Sequence, residues 1–197
     1  MRPIRIYPTK RLIDIAAATL GLSVCLPCLL TVCGTLAIVS RQSPIFVQER
    51  VGRHEQIFRL YKLRTLLFTA TGHRQRWLTR MGLLLRTYSI DELPQLWNVI
   101  RGDMSLVGPR PLLVEYLPHY TSEQRKRHTV RPGITGWAQV HGRNALPWPE
   151  RFALDQWYVE HVSLGLDMRI LRMTLRRVLS PQHVRPEGLS EGEKFRG

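Results

Sequence analysis

Cysteine is scarce in this sequence: three residues in 197, all between positions 25 and 33. Three closely spaced thiols in an apolar run cannot staple a domain, which excludes a secreted disulfide framework. Cys25 and Cys28 formally match a C-x-x-C redox pattern. A reactive thiolate needs an electropositive, partly wet setting that this run does not offer, so the pair reads as inert packing. Neither G-x-G-x-x-G nor G-x-x-x-x-G-K-[ST] occurs, so a dinucleotide fold and a P-loop are both unsupported. The seven His are scattered without metal-ligand spacing, which speaks against a zinc site. Internal repeats and low-complexity tracts are missing as well. Acidic residues are few, 15 against 29 Lys and Arg, for a net charge of +14 and a pI near 10.8. That balance excludes an ordinary neutral cytosolic surface and points to an anionic partner: nucleic acid, an acidic membrane face or phosphorylated substrates.

What the sequence does have is one long hydrophobic run. Asp14 is the only charge between Leu12 and Val39, and Lys10 and Arg11 precede the run. Ile15 to Val39 as one straight helix would rise about 37 Å, enough to cross a bilayer with tilt. Pro27 stands in the middle, where it removes a backbone hydrogen bond and clashes with the preceding turn. Arg2, Arg5, Lys10 and Arg11 lie before the run and Arg41, Arg50 and Arg53 after it. Both ends therefore read as cytoplasmic under the positive-inside rule. The expectation is a monotopic, re-entrant anchor over residues 1–40 that bends at Pro27; a spanning helix or a buried core helix are the alternatives. The run is too long for the apolar part of a signal peptide and lacks a small-x-small cleavage site followed by a polar mature start.

Beyond Pro44, Ile45 to Val47 and Ile57 to Tyr61 are β-prone runs around Gly52, the pattern of a hairpin. Arg74 to Arg86 places Trp77, Leu78, Met81, Leu84 and Leu85 at helical spacing with Arg74, Arg76 and Arg80 on another face. A second basic amphipathic helix is predicted over about 166–179, with Met168, Leu171, Leu175 and Val178 on one face and Arg169, Arg172 and Arg176 on another. Each either lies against anionic lipid or covers a soluble core with a solvated arginine face. Between them, prolines and glycines from Gly102 to Pro149 imply tight turns and short elements, the irregular backbone that often builds a site. Residues 181–197 read as a polar, poorly ordered tail.

The sharpest chemical constellation is Asp91-Glu92. Ser89 and Glu92 have the spacing of a capping box, which would set both carboxylates in the first turn of a helix; Pro94 is awkward for that register and leaves a later helix start as the alternative. Adjacent carboxylates either divide nucleophilic and proton-transfer work or share a divalent cation; alternatively they are only caps. Around them stand Arg86, Arg101, Arg110 between Pro109 and Pro111, Arg131 before Pro132, and Arg143 after Gly142. Arginine beside proline is preorganised to fork onto phosphate oxygens. A diphosphate substrate that needs both a metal and several guanidiniums would account for the acidic pair and its basic surround together.

Lys10-Arg11 with Asp14 leading into the apolar run, Arg50 with Gly52, Lys62 with Arg64 and Thr65, Asp91 to Leu96, Gly102 to Pro111 and Pro132 to Gln139 together resemble the bacterial sugar transferases that are monotopic phosphoglycosyl transferases. The likeness covers about residues 10–180, and several motifs in fixed order make it specific. Leu112 to Pro118, the Arg143-Asn144 region and Glu193 to Phe195 look most like the short initiating enzymes of protein N-glycosylation. The resemblance implies transfer of a sugar 1-phosphate from a UDP-sugar to undecaprenyl phosphate with release of UMP and with Mg²⁺, the sugar being an N-acetylated amino sugar such as diacetylated bacillosamine. It makes Asp91 the nucleophile that carries the phosphosugar covalently and the ligand of the metal, and Glu92 a neighbouring acid or base. Lys62, Arg64, Arg86, Arg110, Arg131, Gln139 and Arg143 become the phosphate- and substrate-binding set. The sequence departs from the pattern at Leu26, where the family often has Ser before the helix-breaking Pro, at Leu66 in place of Met, and at His141 in place of Asn.

The reading is an α+β, predominantly helical fold with a small β-hairpin and an N-terminal Pro-broken re-entrant membrane helix. Residues 1–40 form the anchor, 41–180 the catalytic domain and 181–197 the tail. Its setting is the cytoplasmic face of a bacterial inner membrane, with membrane lipids, a UDP-sugar and undecaprenyl phosphate as partners and no nucleic acid. The rival is a non-catalytic, basic, membrane-docked scaffold or a nucleic-acid-binding module. The apolar anchor argues against the second and the intact Asp91-Glu92 pair against the first.

Overall fold

The computed structural model describes residues 7–65, 72–142, 145–179 and 195. Over the described residues the chain is mostly helical, with two two-stranded sheets. Helix α1 (Lys10–Ser40) is built from the uncharged run and ends where Arg41 turns left-handed at φ 56° and returns its N–H to the Ala37 carbonyl. It is long and apolar enough to cross a membrane. The helix continues without interruption through Pro27, so the expected break is not an end of the helix. One proline costs one intrahelical bond, and the turns on either side are long enough to absorb it. Just beyond, the Thr31 and Thr35 hydroxyls donate to the Pro27 and Thr31 carbonyls at 2.9 and 2.8 Å, contacts of the type that bend helices locally.

Burial along α1 follows a single face. Asp14, Ala18, Leu29, Leu36 and Ser40 are buried, with Leu22, Cys25, Val32 and Cys33 partly so, and Leu12, Leu20, Val24, Leu30 and Ile38 face outward. Both ends of this face are fixed to the rest of the chain. At the start, Arg11 donates to the Val99 and Ile100 carbonyls, Asp14 accepts from the Ser105 hydroxyl and the Leu106 amide, and Lys10 pairs with Asp167. Toward the far end, Leu29 and Leu36 share a core with Leu63 and Leu85. The three cysteines are free thiols.

The predicted hairpin is present: β1 (Ile45–Val51) pairs antiparallel with β2 (Ile57–Leu63), Phe46 opposite Lys62 and Val51 opposite Ile57. Helix α2 (Gly72–Thr87) contains the predicted amphipathic stretch; the side chains of residues 72–78, including Arg74, Arg76, Trp77 and Leu78, lie outside those described. A short α3 (Gln95–Arg101) follows and is closed by Gly102 at φ 99°. Next come β3 (Ser105–Val107), the one-turn α4 (Ser122–Arg125) and β4 (Gly133–Thr135). The β3–β4 pair is parallel, and the backbones approach so closely that a Cβ on Gly133 would stand 2.1 Å from the Gly108 nitrogen. Helices α5 (Trp137–His141), α6 (Trp148–Glu160) and α7 (Leu164–Leu179) are the last described elements. They pack on β3–β4 through Val107, Val140, Tyr158, Val159 and Ile170, and each such fully buried side chain contributes about 1.5–3 kcal/mol. Of the predicted tail only Phe195 is described. It is buried among Tyr116, Tyr120, Trp148 and Phe152, so at least this residue is part of the packed body.

Candidate active site

The Asp91-Glu92 pair sits in a single 3₁₀ turn, Ile90–Glu92, entered through Ser89 at φ 56°. The capping box read from the spacing does not form: Ser89 makes no side-chain cap bond. A capping residue ordinarily has extended backbone, whereas Ser89 is left-handed, and Pro94 becomes the cap of α3, so the α-helix begins one turn after the carboxylates. Asp91 is buried; Glu92 is partly so.

Glu92 is the hub of the geometry. Its Oε1 accepts from Lys62 Nζ at 3.1 Å and from Arg110 Nη2 at 3.0 Å. Lys62 arrives on β2 and Arg110 on the Pro109–Pro111 turn that follows β3, so three segments distant in sequence converge on one oxygen. Two cations on one carboxylate leave excess positive charge beside Asp91, the setting that an incoming diphosphate needs. Arg86, at the end of α2, donates through Nε to the Thr65 hydroxyl at 2.8 Å. Gly82 makes that approach possible, because a Cβ there would stand 2.3 Å from the Thr65 carbonyl oxygen.

Arg110 is itself held from behind. Arg127 Nη2 donates to the Arg110 carbonyl and to Asp155 Oδ2, each at 2.7 Å, and the Arg127 and Asp155 side chains are almost wholly buried. Burial pushes the Asp155 carboxyl up more than Arg127 draws it down. Beside them, His128 is pushed down to about 3, first by burial and then by the Arg127 charge. Spacing alone marked none of these three residues.

Other sequence candidates fall elsewhere. Arg64 donates to the Ser43 carbonyl at 2.9 Å and lies over the Phe46 ring, tying the ends of the hairpin together. Arg131 donates to the Gly102 carbonyl at 2.9 Å and lines a separate cavity. Gln139 is buried in α5 against Gly136, where a Cβ would stand 2.6 Å from its Oε1. These three are not bonded to Asp91 or Glu92. Arg143 and Asn144 lie outside the described residues.

Among the described residues no group of three or more His, Cys, Asp or Glu side chains converges as a metal cage. The donor set is two adjacent carboxylates, of which Glu92 accepts from Lys62 and Arg110. That set fits Mg²⁺, which keeps much of its water and is held through one or two carboxylates together with substrate phosphates.

A family profile described as "Bacterial sugar transferase" matches residues 5–181. The chain is 45% identical to the "Uncharacterized sugar transferase EpsL" of Bacillus subtilis, covering 95% of this chain and 96% of that protein. It is 39% identical to the "UDP-glucose:undecaprenyl-phosphate glucose-1-phosphate transferase" of Caulobacter vibrioides, over 87% of this chain and 70% of the relative. A third relative, the "UDP-N-acetylgalactosamine-undecaprenyl-phosphate N-acetylgalactosaminephosphotransferase" of Aeromonas hydrophila, is 37% identical, and the chain spans only 44% of its length.

Proposed function

Because the chain belongs to the bacterial sugar transferase family, we propose that it is a phosphoglycosyl transferase that moves a sugar 1-phosphate from a UDP-sugar to undecaprenyl phosphate at a membrane surface. The observation that carries this reading is the Glu92 carboxylate clamped between Lys62 and Arg110 directly beside Asp91.

In this reading a carboxylate oxygen of Asp91 attacks the phosphorus that bears the sugar. The bond from that phosphorus to the uridylate oxygen breaks, UMP leaves with the electron pair, and the phosphosugar is held as an acyl phosphate on Asp91. An oxygen of the polyprenyl phosphate then attacks the same phosphorus and Asp91 is regenerated. That second nucleophile is largely deprotonated at neutral pH, since phosphate monoesters lose their second proton near pH 6, so no strong base is required. Glu92 accordingly serves here to fix Lys62 and Arg110 where charge develops on the phosphoryl oxygens, more than to carry a proton. Mg²⁺, bound through Asp91 and the substrate phosphates, would supply further charge neutralisation.

The anchor fits a lipid acceptor. Both ends of the buried face of α1 are fixed to one body, through Arg11 and Asp14 at the start and Leu36 toward the end, while its outward face is apolar. A helix attached in this way supports a monotopic seat with both ends on one side, with the basic flanks at the cytoplasmic surface of a bacterial inner membrane, as the re-entrant reading requires. The donor is placed no more finely than a UDP-sugar: the relatives are named for glucose and for N-acetylgalactosamine.

The test is release of UMP by purified protein given polyprenyl phosphate, Mg²⁺ and a panel of UDP-sugars that includes UDP-glucose, UDP-N-acetylgalactosamine and UDP-diacetylbacillosamine. At least one donor is turned over, and Asp91→Asn lowers that rate by about 10³ or more. No turnover of any donor, or full turnover by Asp91→Asn, contradicts the reading.

A further inference from the structure

A cavity of about 280 Å³, just under the usual size range of small-ligand pockets, lies between the start of α1, the hairpin turn and β3. Lys10, Arg11, Arg53 and Arg131 line it, and Asp14 is the only acid that does. The acid is already engaged: one Asp14 oxygen accepts from the Ser105 hydroxyl at 2.7 Å and the other from the Leu106 amide at 3.1 Å. Lys10 is spoken for by Asp167, and both terminal nitrogens of Arg11 donate to carbonyls at the end of α3. Arg53 and Arg131 differ. Each is fixed through Nε alone, to the Thr129 and Gly102 carbonyls at 3.1 and 2.9 Å. Among the described residues their terminal amino groups have no hydrogen-bond partner.

The result is two guanidinium forks, held by the backbone behind them, at a cavity that already has more positive than negative charge. Burial and the neighbouring Arg11 and Arg53 charges press the Arg131 guanidinium downward from its ordinary value. An anion between the forks would relieve that crowding, and a planar fork matches the tetrahedral oxygens of phosphate. The place is not the catalytic turn. Arg53 lies in the loop at the closed end of the hairpin, whereas Lys62 pairs with Phe46 near its open end, and no residue of the cavity is bonded to Asp91 or Glu92.

We propose that this cavity is a second phosphate site, in which Arg53 and Arg131 bind a phosphate group, free or esterified, separately from the Asp91 centre. Two sources share that chemistry. The outward apolar face of α1 begins at Leu12, one residue past Arg11, which sets the cavity where lipid headgroups would lie; a soluble phosphate has the same charge without the tail.

Isothermal titration of the full chain in non-ionic detergent with inorganic phosphate, and separately with dihexanoyl phosphatidic acid, tests the proposal. Wild type shows saturable binding of at least one probe. Tighter binding of phosphatidic acid assigns a headgroup, and tighter binding of inorganic phosphate a soluble anion. Arg53→Gln and Arg131→Gln weaken the site by about tenfold or more, the worth of one charge-assisted hydrogen bond, and Asp91→Asn leaves it unchanged. Since Arg131 also bonds to Gly102, Arg53→Gln carries the test if Arg131→Gln does not fold. Absence of saturable binding, unaltered affinity in Arg53→Gln, or loss of binding in Asp91→Asn overturns the proposal.

Discussion

Glu92 Oε1 shows how much of a site one atom can organise, since it collects Lys62 from a strand and Arg110 from a proline-bounded turn. Arg110 depends in turn on Arg127, whose own charge is balanced by buried Asp155. Arg127→Met would leave the Asp155 carboxyl buried without its partner, and we expect it to lower the unfolding free energy by about 3–5 kcal/mol, whereas Arg127→Met with Asp155→Leu costs markedly less, as read by denaturant unfolding of both variants. His128 supplies a pH test. Its pKa falls from 6.5 in the unfolded chain to about 3 in the fold, so the unfolded state binds the proton first as pH drops. Stability tied to neutral His128 is therefore intact above pH 6.5 and is lost progressively down to about pH 3. Unfolding midpoints at pH 7 and pH 4.5 should differ more for wild type than for His128→Phe. Asp91, Glu92 and Arg110 stood out in the sequence as an acidic pair near a proline-flanked arginine, and Lys62 only through the family resemblance; the fold brings Lys62 and Arg110 onto Glu92. Arg131 was a candidate beside Pro132 and Arg64 through the resemblance, but the direction an arginine takes depends on which carbonyl it meets, Gly102 or Ser43, and spacing does not encode that.

At the scale of elements, the hairpin and the basic helix at Leu164–Leu179 were readable because each is a periodic run long enough to show its face. The parallel β3–β4 pair was not. Its strands are three residues each, with no period, and they owe their pairing to the close approach of Gly108 and Gly133 and not to local propensity. The capping box failed for a related reason: the motif spacing was right, but the backbone at Ser89 is left-handed. Helix α1 yields the topological prediction. With Cys25, Cys28 and Cys33 replaced by Ala, single thiols introduced as Pro8→Cys and Gln42→Cys should react with an impermeant maleimide from the same face of sealed membrane vesicles. Labelling from opposite faces would mean that α1 spans.

Over the whole molecule, the cations behind the charge of +14 divide among several tasks. Some arginines hold structure through carbonyls, as Arg11 and Arg64 do, while Arg110 joins Lys62 on the single carboxylate of Glu92. No local pattern reveals the latch by which Lys10, Tyr7 and Tyr158 all converge on Asp167, because its first and last members are more than 150 residues apart. That latch ties the start of α1 to the start of α7, and Ile90 and Leu93 pack on the core that Leu29 and Leu36 share, so α1 and the Asp91-Glu92 turn belong to one packed body. The chemistry proposed for that body rests on Asp91 bonding to phosphorus before any lipid arrives. The direct measurement is intact-protein mass spectrometry of the enzyme mixed with the donor that it turns over and Mg²⁺, with polyprenyl phosphate left out. The account predicts a mass increase of one phosphosugar, mapped to Asp91, with one UMP released per enzyme and both absent in Asp91→Asn; an unmodified protein that consumes donor only once the lipid phosphate is added would contradict it.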